Sequence, residues 1–213
     1  MSLKLFFLRH GQTASSRDND FCGSGTDAPM TEDGHAMAKE FAEYHRATKW
    51  TAVYCSPQQR ALQTAQPVLG VLPAAHQVRD GLKEIGYGAW EGKTLETVQR
   101  DYSEDYKNWL DDPAWHAPTS GETAMEVAQR VSNVLLEIRR EHSRGNVLIV
   151  SHKATIRIAL CVLLGIDVSC YRLRLACPVA SVSVVEVGPR GAMLTSLADR
   201  SHLNSHLREL PGT

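Results

Sequence analysis

The first apolar positions of the chain fall in a nearly unbroken run, Leu3 to Leu8, with Lys4 as its one polar member. A run this short and this apolar predicts a strand covered on both faces. It stops at Arg9-His10-Gly11. Further strands are predicted at Thr51–Cys55, Ala75–Val78 and Val147–Val150, the last running into Ser151-His152. Val182–Val187 and Met193–Leu197 read as late strands joined by the turn Gly188-Pro189-Arg190-Gly191.

Between these runs the period changes. Val127, Val131, Val134, Leu135 and Ile138 recur at helical spacing, behind a capping box at Thr123–Glu126. Thr31 is a candidate N-cap, followed by Glu32 and Asp33 in an acidic first turn. Ser56 is another, with Pro57 at the first helical position and Arg60 therefore in the first turn. From Lys153 onward the pattern is again helical, whereas Asp18–Pro29, rich in Asp, Asn, Gly and Ser, reads as a loop. Strands alternating with helices predict a layered α/β domain with a mostly parallel sheet. No repeat, low-complexity tract or linker divides the chain, so residues 1–213 are expected to form a single domain.

In such sheets ligands sit beyond the carboxyl ends of the strands. Arg9-His10, Ser56–Arg60 and Ser151-His152 each follow a predicted strand end. Two histidines and two arginines from three segments are thus expected at one edge.

Composition narrows what that edge can bind. The formal net charge is −1, so nothing global attracts nucleic acid or an anionic membrane, and any attraction for an anion has to be local. Cys22, Cys55, Cys161, Cys170 and Cys177 are odd in number and form no CxxC pair, which suggests free thiols in a reducing compartment. The opening residues lack the pattern of a secretory signal. The longest apolar candidate, Ile156–Ile166, is broken by Arg157 and falls short of the roughly 20 residues that span a bilayer. A cytoplasmic location is the expectation.

The edge residues suit phosphoryl chemistry. Guanidiniums of Arg9 and Arg60 offer forked, permanent charges for phosphate oxygens. A neutral imidazole can attack phosphorus and form a covalent intermediate, and nearby arginines disfavour its cationic form. The second histidine, if protonated, would stabilise charge on the transferring group. Glu84, in Leu82-Lys83-Glu84-Ile85-Gly86, is a candidate general acid for the leaving alkoxide and base for water. Nothing in this scheme calls for a metal.

These segments carry a family resemblance. Phe7-Leu8-Arg9-His10-Gly11-Gln12-Thr13 resembles the signature of the histidine phosphatase superfamily, also called the phosphoglycerate mutase-like family. Asp27–Gly34, Cys55–Ala65, Leu82–Gly92, Ser120–Thr123 and Val150–His152 are similar to its further segments, in order and at similar spacing. The resemblance implies a three-layer α/β/α sandwich and a phosphohistidine at His10. It also implies phosphate clamping by Arg9, Arg60 and His152, proton transfer by Glu84, and no metal or organic cofactor. Gln12, Thr13, Ser16, Cys22, Gly23 and Lys153 are candidate phosphate or substrate contacts. Two of these depart from the family pattern: Ser16 stands where Asn is frequent, and Lys153 where Gly is usual. Lys153 is disfavoured at a helix N-terminus and either enters the site as an anion ligand or turns to solvent.

Trp90-Glu91-Gly92 runs directly into Lys93–Glu96 without the inserted segment of the longer mutases, which favours a phosphatase. A mutase and a non-catalytic phosphoester-binding protein are the alternatives. The expected substrate is a small phosphate monoester, with a carboxylated one suggested by Lys153. Tyr102–Pro118, with Tyr106, Trp109, Trp115 and His116, is a candidate lid or substrate wall. Phe21–Gly25 is a candidate for the opposite wall, and His202 and His206 for closure from the tail. A homodimer through a late edge strand such as Val182–Val187 is a further expectation.

Overall fold

A computed structural model describes residues 2–70 and 76–212. One sheet contains β1 (Leu3–Arg9), β2 (Trp50–Cys55), β3 (His76–Val78), β4 (Gly145–Ser151), β5 (Val182–Gly188) and β6 (Gly191–Asp199), in the order β3-β2-β4-β1-β5-β6. β3, β2, β4 and β1 are mutually parallel, while β5 runs antiparallel to both β1 and β6. Each predicted strand is present, although Ala75 lies outside the described residues. Parallel neighbours need crossovers, and helices supply them. These are α1 (Ala14–Asp18), α2 (Glu32–Tyr44), α3 (Gln59–Leu69), α4 (Leu95–Asp101), α5 (Ser103–Asp111), α6 (Ala124–Glu141), α7 (Lys153–Leu164) and α8 (Tyr171–Arg174), with α9 (Ser205–Glu209) near the end.

Strand side chains alternate between two cores. Leu5, Phe7, Tyr54, Val147 and Ile149 pack with Val127, Val131 and Ile138 of α6 and Ile158 of α7. Leu8, Val53, Cys55, Leu148 and Val150 pack with Phe41 of α2 and Ala61, Ala65 and Val68 of α3. Helices therefore cover both faces and the molecule is a three-layer α/β/α sandwich. Truncating a fully buried ring such as Phe7 to alanine would cost about 3–5 kcal/mol.

The anticipated caps at Thr31 and Thr123 are both formed, the second as a full capping box. α3 begins later than its Ser-Pro signal suggested, with Gln58 as N-cap. The Ser56 hydroxyl contacts the His152 ring at 2.7 Å, although it still accepts from the Gln58 N–H at 3.3 Å. Arg60 still falls in the first turn. The expected homodimer edge is also corrected. β5 is paired on one side with β1 and on the other with β6, so its backbone has no open edge and β6 is the outer strand.

The turn after β1 packs directly on the start of α2. A Cβ on Gly11 would lie 2.4 Å from the Gly34 carbonyl oxygen, and one on Gly34 2.2 Å from that of Gln12. Only glycine at both positions lets the two backbones touch.

Candidate active site

β1 and β4 end side by side, with Arg9 paired to Ser151, so the residues that follow them emerge together. His10 continues the ladder by donating its N–H to the Ser151 carbonyl at 3.0 Å. The rings of His10 and His152 end up 5.2 Å apart. Arg60 arrives from the first turn of α3, beyond the end of β2. Its Nε donates to Nδ1 of His152 at 3.1 Å. Arg9, His10, Arg60 and Glu84 line one cleft of about 310 Å³, the volume of a small metabolite. His152 is buried beside it against His10 and Arg60.

Hydrogen bonds settle the proton positions on both rings. His10 Nδ1 lies 2.7 Å from the Gly11 carbonyl, which can only accept, so Nδ1 carries the hydrogen. Burial, then Arg60 and Arg9, hold the His10 pKa well below its ordinary value. The ring is neutral and its lone pair is on Nε2. Arginine can only donate, so Nδ1 of His152 accepts and Nε2–H donates to Ser56 Oγ. Burial, Arg60 and His10 also push the His152 pKa well down. His152 is therefore a neutral hydrogen-bonding group in this geometry, and the positive charge beside His10 resides on the two arginines.

Glu84 is buried at the N-terminus of α7. Its Oε1 accepts from the N–H groups of Ile85 and Thr155 and from the Thr155 hydroxyl, whereas among the described residues Oε2 accepts only from Ala154 N at 3.2 Å. Arg130 of α6 fixes the segment behind it, donating to the carbonyls of Gly81, Lys83 and Glu84. Glu122 binds Arg130 through both oxygens and accepts from Gly86 N at 2.8 Å. Arg60 also reaches the 23–26 loop, with NH1 donating to Thr26 O and NH2 to Gly23 O. These contacts use three of its five N–H groups.

The peripheral candidates divide. Thr13, Ser16, Cys22 and Lys153 line the cleft, but Gln12 and Gly23 do not. The Gln12 side chain is held between the Pro211 carbonyl and the Thr31 hydroxyl, and Gly23 contributes a backbone carbonyl to Arg60 and Gln58. Ser16 Oγ is engaged with Thr13 in the capping box of α1, a helix with no clear sequence signal. The Cys22 thiol is pushed up by burial, so it is not a thiolate. Lys153 turns into the cleft, and burial with Arg9 and Arg157 lowers its pKa to about 8.

Of the expected wall, Tyr106 and Trp109 line the cleft, whereas Trp115 is 68% exposed and His116 is also exposed. Of the expected opposite wall, Phe21 and Cys22 line the cleft and Gly23–Gly25 do not. Phe21 is held there edge-on against Tyr87, Trp90 and Trp109 in one apolar cluster. His202 and His206 do not close the cleft. His202 is buried against Phe41 at 5.5 Å, where burial lowers its pKa to about 4, and His206 is exposed on α9. The tail approaches instead through backbone: Arg9 NH1 donates to the carbonyls of Cys177 and Gly212. Sequence reasoning missed Gln58, which links Gly23 O to Glu84 N, and the lining residues Tyr87, Arg157, Tyr171 and Arg172. Only Arg157 had a sequence signal, four residues after Lys153 on one helix face. Among the described residues, no group of three or more His, Cys, Asp or Glu is arranged to hold a metal ion.

Comparison with known proteins identifies the family. The family model described as "Histidine phosphatase superfamily (branch 1)" matches residues 5–200. The chain is 29% identical to phosphoserine phosphatase 1 of Hydrogenobacter thermophilus, over 94% of each chain. It is 27% identical to the adenosylcobalamin/alpha-ribazole phosphatase of Escherichia coli, over 76% of this chain and 80% of that one. A solved phosphoserine phosphatase mutant from Entamoeba histolytica, in complex with phosphoserine, superposes with a TM-score of 0.84 at 26% identity, covering 95% of this chain and 100% of that one.

Proposed function

The chain belongs to the histidine phosphatase superfamily and is a phosphatase, and from that premise we propose that His10 Nε2 accepts the phosphoryl group of a small phosphate monoester. The observation that carries this reading is the Nδ1–H bond to the Gly11 carbonyl, which leaves the lone pair on Nε2 of a buried, neutral ring. Attack by Nε2 forms the N–P bond as the ester P–O bond breaks. Arg9 and Arg60 balance the charge on the phosphoryl oxygens, and His152 holds Arg60 in position through its Nδ1. The leaving alkoxide takes a proton from the acid form of Glu84, at Oε2, which accepts fewer hydrogen bonds than Oε1, and leaves the carboxylate. The same carboxylate then takes a proton from the water that cleaves the phosphohistidine, returning His10 and free phosphate. No step requires a metal.

The free thiols support a reducing, cytoplasmic setting, and among the described residues no helix is long and apolar enough to cross a membrane. For self-association we propose the outer strand β6, where Met193 is 62% exposed.

The test is phosphate release from a panel of phosphomonoesters in chelator. The wild type is expected to turn over, and His10→Ala to lose activity together with an acid-labile phosphoenzyme. Release that depends on added metal or on a bisphosphate primer, or that survives in His10→Ala, would sink the mechanism.

A further inference from the structure

Three cations line the cleft in addition to Arg9 and Arg60: Lys153 and Arg157 of α7 and Arg172 of α8. Lys153 and Arg157, four residues apart, rise from one face of their helix. Arg172 is held by an aromatic ring, its guanidinium 3.7 Å from the Trp109 ring centroid. Stacking fixes the plane of the guanidinium and leaves its N–H edge available to a planar anion.

Among the described residues, none of the three has an ion-pair partner. Arg157 Nε and the hydroxyl of the fully buried Tyr171, which also lines the cleft, have no hydrogen-bond partner there either. The carboxylates of the cleft do not neutralise the group. Glu84 is taken up by the amides of α7, and Asp20 pairs with none of them. Lys153 shows the resulting strain: burial, Arg9 and Arg157 lower its pKa, against a weaker opposing pull from Cys177 and Glu84. Such crowding is costly unless an anion arrives to offset it.

We propose that Lys153, Arg157 and Arg172 form a second anion subsite that holds a carboxylate or second phosphate at the far end of the phosphomonoester. The inference rests on the phosphatase reading and names the substrate class of that site. Arg9 and Arg60 serve the end nearest His10, whose pKa they lower. The three further cations serve the other end, and the cleft volume limits the distance between the two anionic groups to that of a small metabolite.

The test uses esters matched except at the far end: phosphoglycerate esterified at its terminal hydroxyl, glycerol phosphate with the carboxylate replaced by CH2OH, and a propanediol bisphosphate beside its monophosphate. The wild type is expected to favour one anionic member over its matched partner by about tenfold or more in kcat/KM, chiefly through KM. Whichever pair shows the preference identifies the anion. In Arg157→Met and Arg172→Ala the ratio within that pair is expected to collapse toward unity, with partial rescue in Arg157→Lys. A loss of fold would lower both members alike, so an unchanged ratio in the variants, or no preference in the wild type, overturns the subsite. Titration calorimetry of His10→Ala with the same pairs reads the subsite without turnover. Discrimination in binding with no hydrolysis by the wild type would reject the phosphatase mechanism and keep the subsite, whereas hydrolysis without discrimination would do the reverse.

Discussion

At the residue scale the decisive facts are proton positions. His10 and His152 are buried next to arginines that can only donate, and each is left with one defined lone pair or one defined N–H. Both rings should therefore keep the nitrogen-15 NMR signature of neutral imidazole at pH 5.5, where an ordinary histidine is mostly protonated. Protonated shifts at that pH would remove the nucleophile. The same property makes the fold acid-sensitive. His10, His152 and His202 all have lowered pKa values in the fold, so below about pH 6.5 the unfolded chain binds more protons than the native one. Stability is fully present above that pH and is lost as pH falls through the range. Denaturant titrations should give a lower unfolding free energy at pH 5 than at pH 7. The histidines and arginines themselves were legible in the sequence because they follow recognisable strand ends. Arg172 was not, since its partner Trp109 lies on a different helix.

At the element scale, loops are shaped by single carboxylates. Glu91 Oε1 accepts from the N–H groups of Gly25 and Tyr87, and Oε2 from the Thr26 hydroxyl at 2.7 Å. It thereby holds the loop whose carbonyls orient Arg60 and Gln58. Glu91→Ala is expected to cost about 2 kcal/mol of stability and to lower kcat/KM about tenfold, although Glu91 does not line the cleft. Thermal melts and steady-state kinetics check both, and an unchanged kcat/KM would show that the loop holds Arg60 without it. The helix that follows this loop, α2, was legible from its cap at Thr31, because caps are short-range features, whereas the short α1 before it was not. The start of α3 was misread: Gln58 is its N-cap, and the Ser56 hydroxyl contacts His152, far away in the chain.

At the scale of the whole molecule, the tail closes onto β1. Gln12 Nε2 donates to the Pro211 carbonyl at 2.6 Å, and the Gly212 carbonyl accepts from Val179 N at 3.1 Å and from Arg9. Truncation after Leu210 is expected to lower the thermal midpoint by about 3–6 °C, as loss of these bonds uncovers buried donors beside the site. An unchanged midpoint would show that the tail only rests there. What the sequence alone determined is the α/β layering, the strands and the four longer helices α2, α3, α6 and α7, and the set of groups at the sheet edge, because local periodicity, caps and motif order carry that information. Only the tertiary structure decided which ring nitrogen of His10 and His152 bears the proton, that Lys153 joins Arg157 and Arg172 in the cleft, and that β5 is interior. Those depend on contacts between residues distant in the chain, such as Arg60 and His152, whose relative orientation no local pattern encodes.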